Sequence, residues 1–260
     1  MLIIAGPCQH ESLKQSLDIA QHCLDVCNRH GVDYYFKASF DKANRTSKSG
    51  KRGLGLFRTI ADFDVLKNEI PGLRIVTDVH EQSQIPLVKD TVDVIQIPAF
   101  LCRQTDLILA ACETGKIVNV KKGQFLAPWD VSGILSKTQD AAEVWITERG
   151  TSFGYNTLVV DFTGIQYVMD HYSSKLVFDA THAVQRPGGA GTSSSGNRSY
   201  VPGLCRAASA MGVDSFFLEV HPDPDNAPSD GSNMLHLNDF ETVVKQIVEF
   251  HYDRHRSLQS

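Results

Sequence analysis

No apolar run in the 260-residue sequence approaches the roughly 18 residues needed to cross a bilayer. The opening residues, Met1-Leu2-Ile3-Ile4-Ala5-Gly6, lack both the charge and the length of a secretory leader, so no membrane role and a cytoplasmic location are expected. Positive charge is in the minority. With 25 Lys and Arg against 30 Asp and Glu, the net charge of −5 argues against nucleic acid or a membrane surface as partner. Paired cysteine motifs are missing as well. The six cysteines (8, 23, 27, 102, 112 and 205) are scattered, and Cys23 and Cys27 stand four apart in a helical pattern that offers no ready disulfide geometry. Reduced thiols are the expectation. Nor does any shift in composition mark a second domain, so residues 1–260 are expected to form one catalytic domain.

What is present is a regular alternation. Short β-branched apolar runs fall at about 2–6, 32–38, 74–78, 93–97, 117–121, 144–148, 176–179 and 215–219. Amphipathic helical patterns follow near 12–30, 54–69, 81–89, 104–114, 131–141, 163–173, 203–212 and 236–252. Strand followed by helix, eight times over, predicts an α/β fold of the (β/α)8 TIM-barrel type, for which about 250 residues is usual. An open doubly wound sheet is the alternative. Three long loops, 39–52, 187–202 and 221–235, follow strands, which places them on the face where barrel enzymes keep their chemistry. The Gly- and Ser-rich 187–202 loop is read as either a lid or a disordered segment.

The polar residues at the strand ends form two groups. Lys37, Lys42 and Arg45 lie within nine residues, and Lys121 and Arg149 end the fifth and sixth strands. So many cations need anions beside them, and phosphate and carboxylate suit both side chains. Gln96 and Asn44 can hydrogen-bond neutral oxygens, and Asp78 can accept from a hydroxyl. The set fits a phosphorylated sugar together with a phosphorylated small acid. In a closed barrel the eighth strand lies beside the first, so Cys8, His182, Glu219 and Asp230 come from three neighbouring strands. Thiolate, imidazole and two carboxylates suit one divalent transition metal, Fe2+, Zn2+, Mn2+ or Co2+, better than Mg2+. Each of these four residues alone has an ordinary structural explanation, and their spacing matches no local zinc motif.

Several segments carry a resemblance: Ile4-Ala5-Gly6-Pro7-Cys8, Ser39-Phe40-Asp41-Lys42-Ala43-Asn44-Arg45-Thr46-Ser47, Thr77-Asp78-Val79-His80-Glu81 and Gln96-Ile97-Pro98-Ala99-Phe100-Leu101-Cys102-Arg103-Gln104-Thr105-Asp106. Val118-Asn119-Val120-Lys121-Lys122-Gly123-Gln124-Phe125, Thr147-Glu148-Arg149-Gly150, Phe178-Asp179-Ala180-Thr181-His182 and Glu219-Val220-His221-Pro222 continue it. The chain resembles the 3-deoxy-D-manno-octulosonate 8-phosphate synthase family. That resemblance implies condensation of phosphoenolpyruvate with arabinose 5-phosphate and release of inorganic phosphate, as a step of lipopolysaccharide biosynthesis. It implies that Lys37, Lys42, Lys121 and Arg149, with the Ala99-Phe100 backbone, hold phosphoenolpyruvate. Asn44, Arg45, Ser47, Asp78 and His182 would hold arabinose 5-phosphate, and Lys42, Asp78, Gln96, Lys121 and His182 would surround the reacting centre. Cys8 in place of Asn implies the metal-requiring branch, with His182, Glu219 and Asp230 completing the ligands. A homotetramer is implied, with Arg45 reaching a neighbouring subunit's sugar phosphate. The run Lys48-Ser49-Gly50-Lys51 departs from the family pattern by adding two cations. A heptulosonate synthase acting on erythrose 4-phosphate, a metal-dependent aldolase and a catalytically silent sugar-phosphate sensor are the alternatives.

Overall fold

Eight parallel strands pair in chain order, and the last returns to the first. They are β1 (Leu2–Gly6), β2 (Asp33–Lys37), β3 (Arg74–Asp78), β4 (Val94–Ile97), β5 (Ile117–Lys121), β6 (Glu143–Glu148), β7 (Lys175–Asp179) and β8 (Ser215–His221). β8 pairs with both β7 and β1, which closes the ring into a (β/α)8 barrel. The computed structural model describes residues 1–45, 47–48, 50–189 and 195–257. Thr46 and Ser49 of the basic loop, and residues 190–194 in the middle of the expected lid, lie outside the described residues.

The helices are α1 (Leu13–Arg29), α2 (Leu56–Glu69), α3 (Ile85–Val88), α4 (Thr105–Cys112), α5 (Val131–Leu135), α6 (Phe162–His171), α7 (Ala180–Ala183), α8 (Val201–Met211) and α9 (Phe240–Ser257). α1 begins where Ser12 accepts a hydrogen bond from the Gln15 amide, and it buries Ile19, Ala20, Cys23, Val26 and Cys27 against the barrel. Two helices are shorter than the periodicity predicts. The 81–89 pattern splits into a 3-10 turn and α3, because Pro86, which lacks an amide proton, is tolerated only in a first turn. The 131–141 pattern stops at Leu135, where Ser136 and Thr138 turn their hydroxyls back onto the carbonyls of Gly133 and Leu135. β8 is longer than expected, running to His221, because its end pairs with a returning segment, Leu235–His236.

Side chains on a strand alternate between faces, and the two faces here are separate cores. Ile3, Ala5, Phe36, Ile75, Ile95, Val118, Ile146, Phe178, Phe216 and Leu218 face the helices. Leu2, Ile4, Tyr35, Val76, Val94, Trp145, Val177 and Phe217 fill the barrel interior. Two residues further along the same strands, on the same face, come Lys37, Asp78, Gln96, Thr147, Asp179 and Glu219, and Arg149 follows just past the end of β6. The interior is therefore layered, with an apolar floor and a polar layer above it.

Gly6 ends β1 at the point where it passes β2. A Cβ at this position would lie 2.1 Å from the Lys37 carbonyl oxygen, so only glycine fits. Gly6→Ala should lower the unfolding free energy by about 3 kcal/mol, as overpacking of a rigid backbone contact does. Urea denaturation checks this.

Candidate active site

The polar layer has an acidic corner and a cationic wall. At the corner, Cys8 follows β1, Glu219 lies in β8, and Asp230 lies in the loop beyond β8. Their ligand atoms all lie within 4.8 Å of one another. The Cys8 thiol donates to Asp230 Oδ2 at 3.2 Å. His182 Nε2, on α7, is 3.8 Å from Glu219 Oε1 and 3.8 Å from Asp230 Oδ2. Both oxygens of Glu219 are buried without a hydrogen-bond partner among the described residues, a costly arrangement unless a cation is received there. Asp230 adopts a left-handed backbone, φ 52°, which aspartate tolerates better than branched residues. The donor set, its spacing and the two orphaned oxygens all fit one transition-metal ion.

The wall is built from Lys37, Lys42, Lys121 and Arg149. Lys37 and Lys42 both donate to Ser39 Oγ, at 2.8 and 3.0 Å, and Ser39 in turn donates to Asp78 Oδ1. Asp78 also lies 3.3 Å from Lys37 and 3.1 Å from His80. Burial would raise the Asp78 carboxyl, but Lys37, His80 and Lys42 hold it well below the usual carboxylate range. Burial works against the Lys42 ammonium too, yet Cys8, Asp78, Glu219 and Asp230 raise it above its ordinary value. Arg149 Nη2 donates to Gln185 at 3.0 Å, whereas its Nη1 is buried with no partner among the described residues. That donor is available to an anion.

Between corner and wall sits Asp179, fully buried. Its Oδ1 accepts from the His182 amide at 2.9 Å and the Thr181 hydroxyl at 3.0 Å, which caps α7. Its Oδ2 pairs with Lys121 and lies 2.8 Å from His182 Nδ1. Burial would raise this carboxyl, but His182 and Lys121 push it far below its ordinary value. The Lys121 ammonium lies 3.2 Å from the centroid of the Phe217 ring, a cation–π contact with the apolar floor. Burial lowers Lys121 to about 8, with Asp179 offsetting part of the effect. Gln96 is oriented from below, accepting from Asn119 at 3.2 Å, while Asn119 accepts from Thr147 at 2.6 Å.

Other residues named from the sequence go elsewhere. Arg45 folds back on its own chain, donating to the Lys51 carbonyl, Ser229 and Gln9 at 2.7, 2.6 and 2.7 Å. It thereby fixes the neighbours of Cys8 and Asp230. Asn44 is exposed and Ser47 half-buried in the same loop, and Lys48 and Lys51 are exposed. Ala99 and Phe100 open a 3-10 turn after β4, whose first amides have no partner within the turn. Three further strand-end residues are engaged in pairs of their own. Lys122 lies 3.2 Å from Glu148, and His221 lies 2.9 Å from Glu11. The sequence assigns no site role to Ser39 or Gln185, and Asp179 enters it only within the segment Phe178-Asp179-Ala180-Thr181-His182. Ser39 lies inside the basic run and could have been found there; Gln185 carries no local signal.

Two outcomes follow from the Lys121–Asp179–His182 contacts. Asp179→Asn removes the shared anion and should lower the unfolding free energy by about 3 kcal/mol, read by denaturant titration. Lys121 is charged below about 8, so affinity for a small dianion should fall as pH rises through about 8. Lys121→Arg should abolish that fall, as calorimetry across the pH range will show.

Comparison with known proteins gives the family. The DAHP synthetase I family matches residues 1–255. A protein of Rhodopseudomonas palustris named 2-dehydro-3-deoxyphosphooctonate aldolase is 53% identical over 250 residues, covering 95% of this chain and 87% of its own length. Proteins of the same name from Bradyrhizobium diazoefficiens and Caulobacter vibrioides are each 52% identical over 95% of this chain, covering 88% and 86% of their own lengths. A family match along nearly the whole barrel, with relatives identical at more than half their aligned positions, means that the chain belongs to the DAHP synthetase I family.

Proposed function

We propose that this chain is a 3-deoxy-D-manno-octulosonate 8-phosphate synthase, the activity its relatives carry under the name 2-dehydro-3-deoxyphosphooctonate aldolase. It condenses phosphoenolpyruvate, arabinose 5-phosphate and water into the eight-carbon keto-acid phosphate and inorganic phosphate. The observation that carries the reading is the cationic wall, with the unpartnered Nη1 of Arg149, standing beside the orphaned Glu219 carboxylate. Such a pocket suits a doubly anionic small molecule and a cation together.

In this reading Lys37, Lys42, Lys121 and Arg149, helped by the Ala99 and Phe100 amides, hold the carboxylate and phosphate of phosphoenolpyruvate. Asn44, Arg45 and Ser47 take the phosphate of the sugar. Arg45 would exchange its contacts with Ser229 and the Lys51 carbonyl for that phosphate, or offer it to a neighbouring subunit of a homotetramer. Exposed Phe125, Trp129, Phe153 and Tyr155 supply apolar surface of the kind that subunit contacts cover. No described helix is long and apolar enough to cross a membrane. All six cysteines are free and buried, which fits a cytoplasmic enzyme.

The enol carbon of phosphoenolpyruvate forms a bond to the aldehyde carbon. Water adds to the carbon that bears the phosphate, and phosphate then leaves with cleavage of its C–O bond. Holding two anions in register is unfavourable in itself, and the four cations offset that repulsion. Alignment of the reactants contributes up to about 7–11 kcal/mol of barrier reduction. Lys42 would stabilise the alkoxide that develops on the former aldehyde oxygen. Gln96, whose Oε1 accepts from Asn119, would donate its amide protons to the reactants, and Asp78 would accept from a sugar hydroxyl. One ion of Fe2+, Zn2+, Mn2+ or Co2+, held by Cys8, His182, Glu219 and Asp230, would supply electrophilic orientation of water or aldehyde without a change in oxidation state.

Phosphate release from phosphoenolpyruvate should require arabinose 5-phosphate, cease on chelation, and return with Zn2+ or Cd2+ as well as Fe2+. Release only with erythrose 4-phosphate would refute the acceptor assignment. Cys8→Asn should show reduced activity that chelators no longer affect.

A further inference from the structure

The contacts of Arg149 and Asp230 meet at one side chain. Gln185 begins the short strand Gln185–Arg186, which pairs antiparallel with Ser195–Gly196 just past His182. Its side chain is buried, with 9% exposure for the residue. Oε1 accepts from Arg149 Nη2 at 3.0 Å, and Nε2 donates to Asp230 Oδ1 at 2.8 Å. We infer that Gln185 is a positioning residue, a single amide that holds the anion-binding arginine and the metal-binding carboxylate in register with each other.

The chemistry of the two partners fixes the amide. A guanidinium only donates and a carboxylate only accepts, so one orientation of Gln185 serves both. Glutamate would face Asp230 with an acceptor, asparagine is one methylene too short, and an apolar side chain satisfies neither. The arrangement also divides labour within each partner. Arg149 gives Nη2 to Gln185, and its Nη1 has no partner among the described residues and is left for a ligand. Asp230 gives Oδ1 to Gln185, while its Oδ2 faces Cys8 at 3.2 Å and His182 at 3.8 Å. Asp230 lies in a loop with a left-handed backbone, so no regular element sets its carboxylate orientation. Gln185 supplies that constraint, and it does so from the residue that also aims the phosphate-binding donor. The amide is thus a mechanical link between the two halves of the site, about one side chain long.

This inference rests on the reading of Arg149 as a phosphoenolpyruvate ligand and Asp230 as a metal ligand. The test is Gln185→Met, which keeps the volume and removes both hydrogen bonds, with two binding measurements that need no turnover. Metal affinity is measured by chelator competition in the absence of substrate. Phosphoenolpyruvate affinity is measured by calorimetry on metal-free protein. Both should weaken, the metal by about tenfold, as loss of an outer hydrogen-bond partner does, and the anion several-fold, while the melting temperature stays within a few degrees of wild type. Should Gln185→Met fold poorly, Gln185→Asn carries the same expectation of a paired loss. If either affinity matches wild type, the link is refuted although the parent reading stands. Wild-type protein that binds neither ligand overturns the parent reading, and this inference with it.

Discussion

Everything at the mouth of this barrel leans on one buried carboxylate. Asp179 has no exposure to solvent, yet it caps a one-turn helix, orients the His182 ring and neutralises Lys121. A charge taken out of water in this way is tolerable only when fully paired, and here Lys121, the His182 ring and two neutral donors surround it. The carboxylate consequently joins groups with different tasks. His182 belongs to the acidic corner and Lys121 to the cationic wall, so neither half of the site is built independently of the other. Gln185 makes a second connection between the same halves.

Charge balance explains the rest of the local architecture. Ser39 stands between two ammonium groups and the Asp78 carboxylate, accepting from the first two and donating to the third. A hydroxyl suits that position because it can do both at once. On the outer side, Arg45 fastens Gln9 and Ser229, the immediate neighbours of Cys8 and Asp230. The basic loop that the sequence presents as a ligand-binding segment therefore also braces the acidic corner.

The barrel itself was legible in the sequence because parallel strands buried on both faces read as apolar runs, and their number and spacing left few architectures. The four residues of the acidic corner were legible for a related reason, since strand order in a closed ring brings the ends of the first, seventh and eighth strands together. What escaped was set by tertiary pairing. β8 continues to His221 only because Leu235–His236 lies beside it, and nothing in the residues of β8 announces that partner. The helices over 81–89 and 131–141 contracted because a proline and two hydroxyls outweighed a favourable periodicity. Gln185 was invisible for a plainer reason: a neutral amide acquires meaning only from what stands on either side of it.

The two-layered interior carries an implication for how such a protein can change. Loops outside the ring can lengthen, shorten or alter composition while every strand keeps its reactive residue in place. One extra residue inserted within a strand is different in kind. Since faces alternate with a period of two, it would turn a lysine or carboxylate outward into the helical shell and swing an aliphatic side chain over the substrate chamber. Variation in acceptor preference is thus expected to accumulate in connecting segments, while strand lengths tolerate almost no drift.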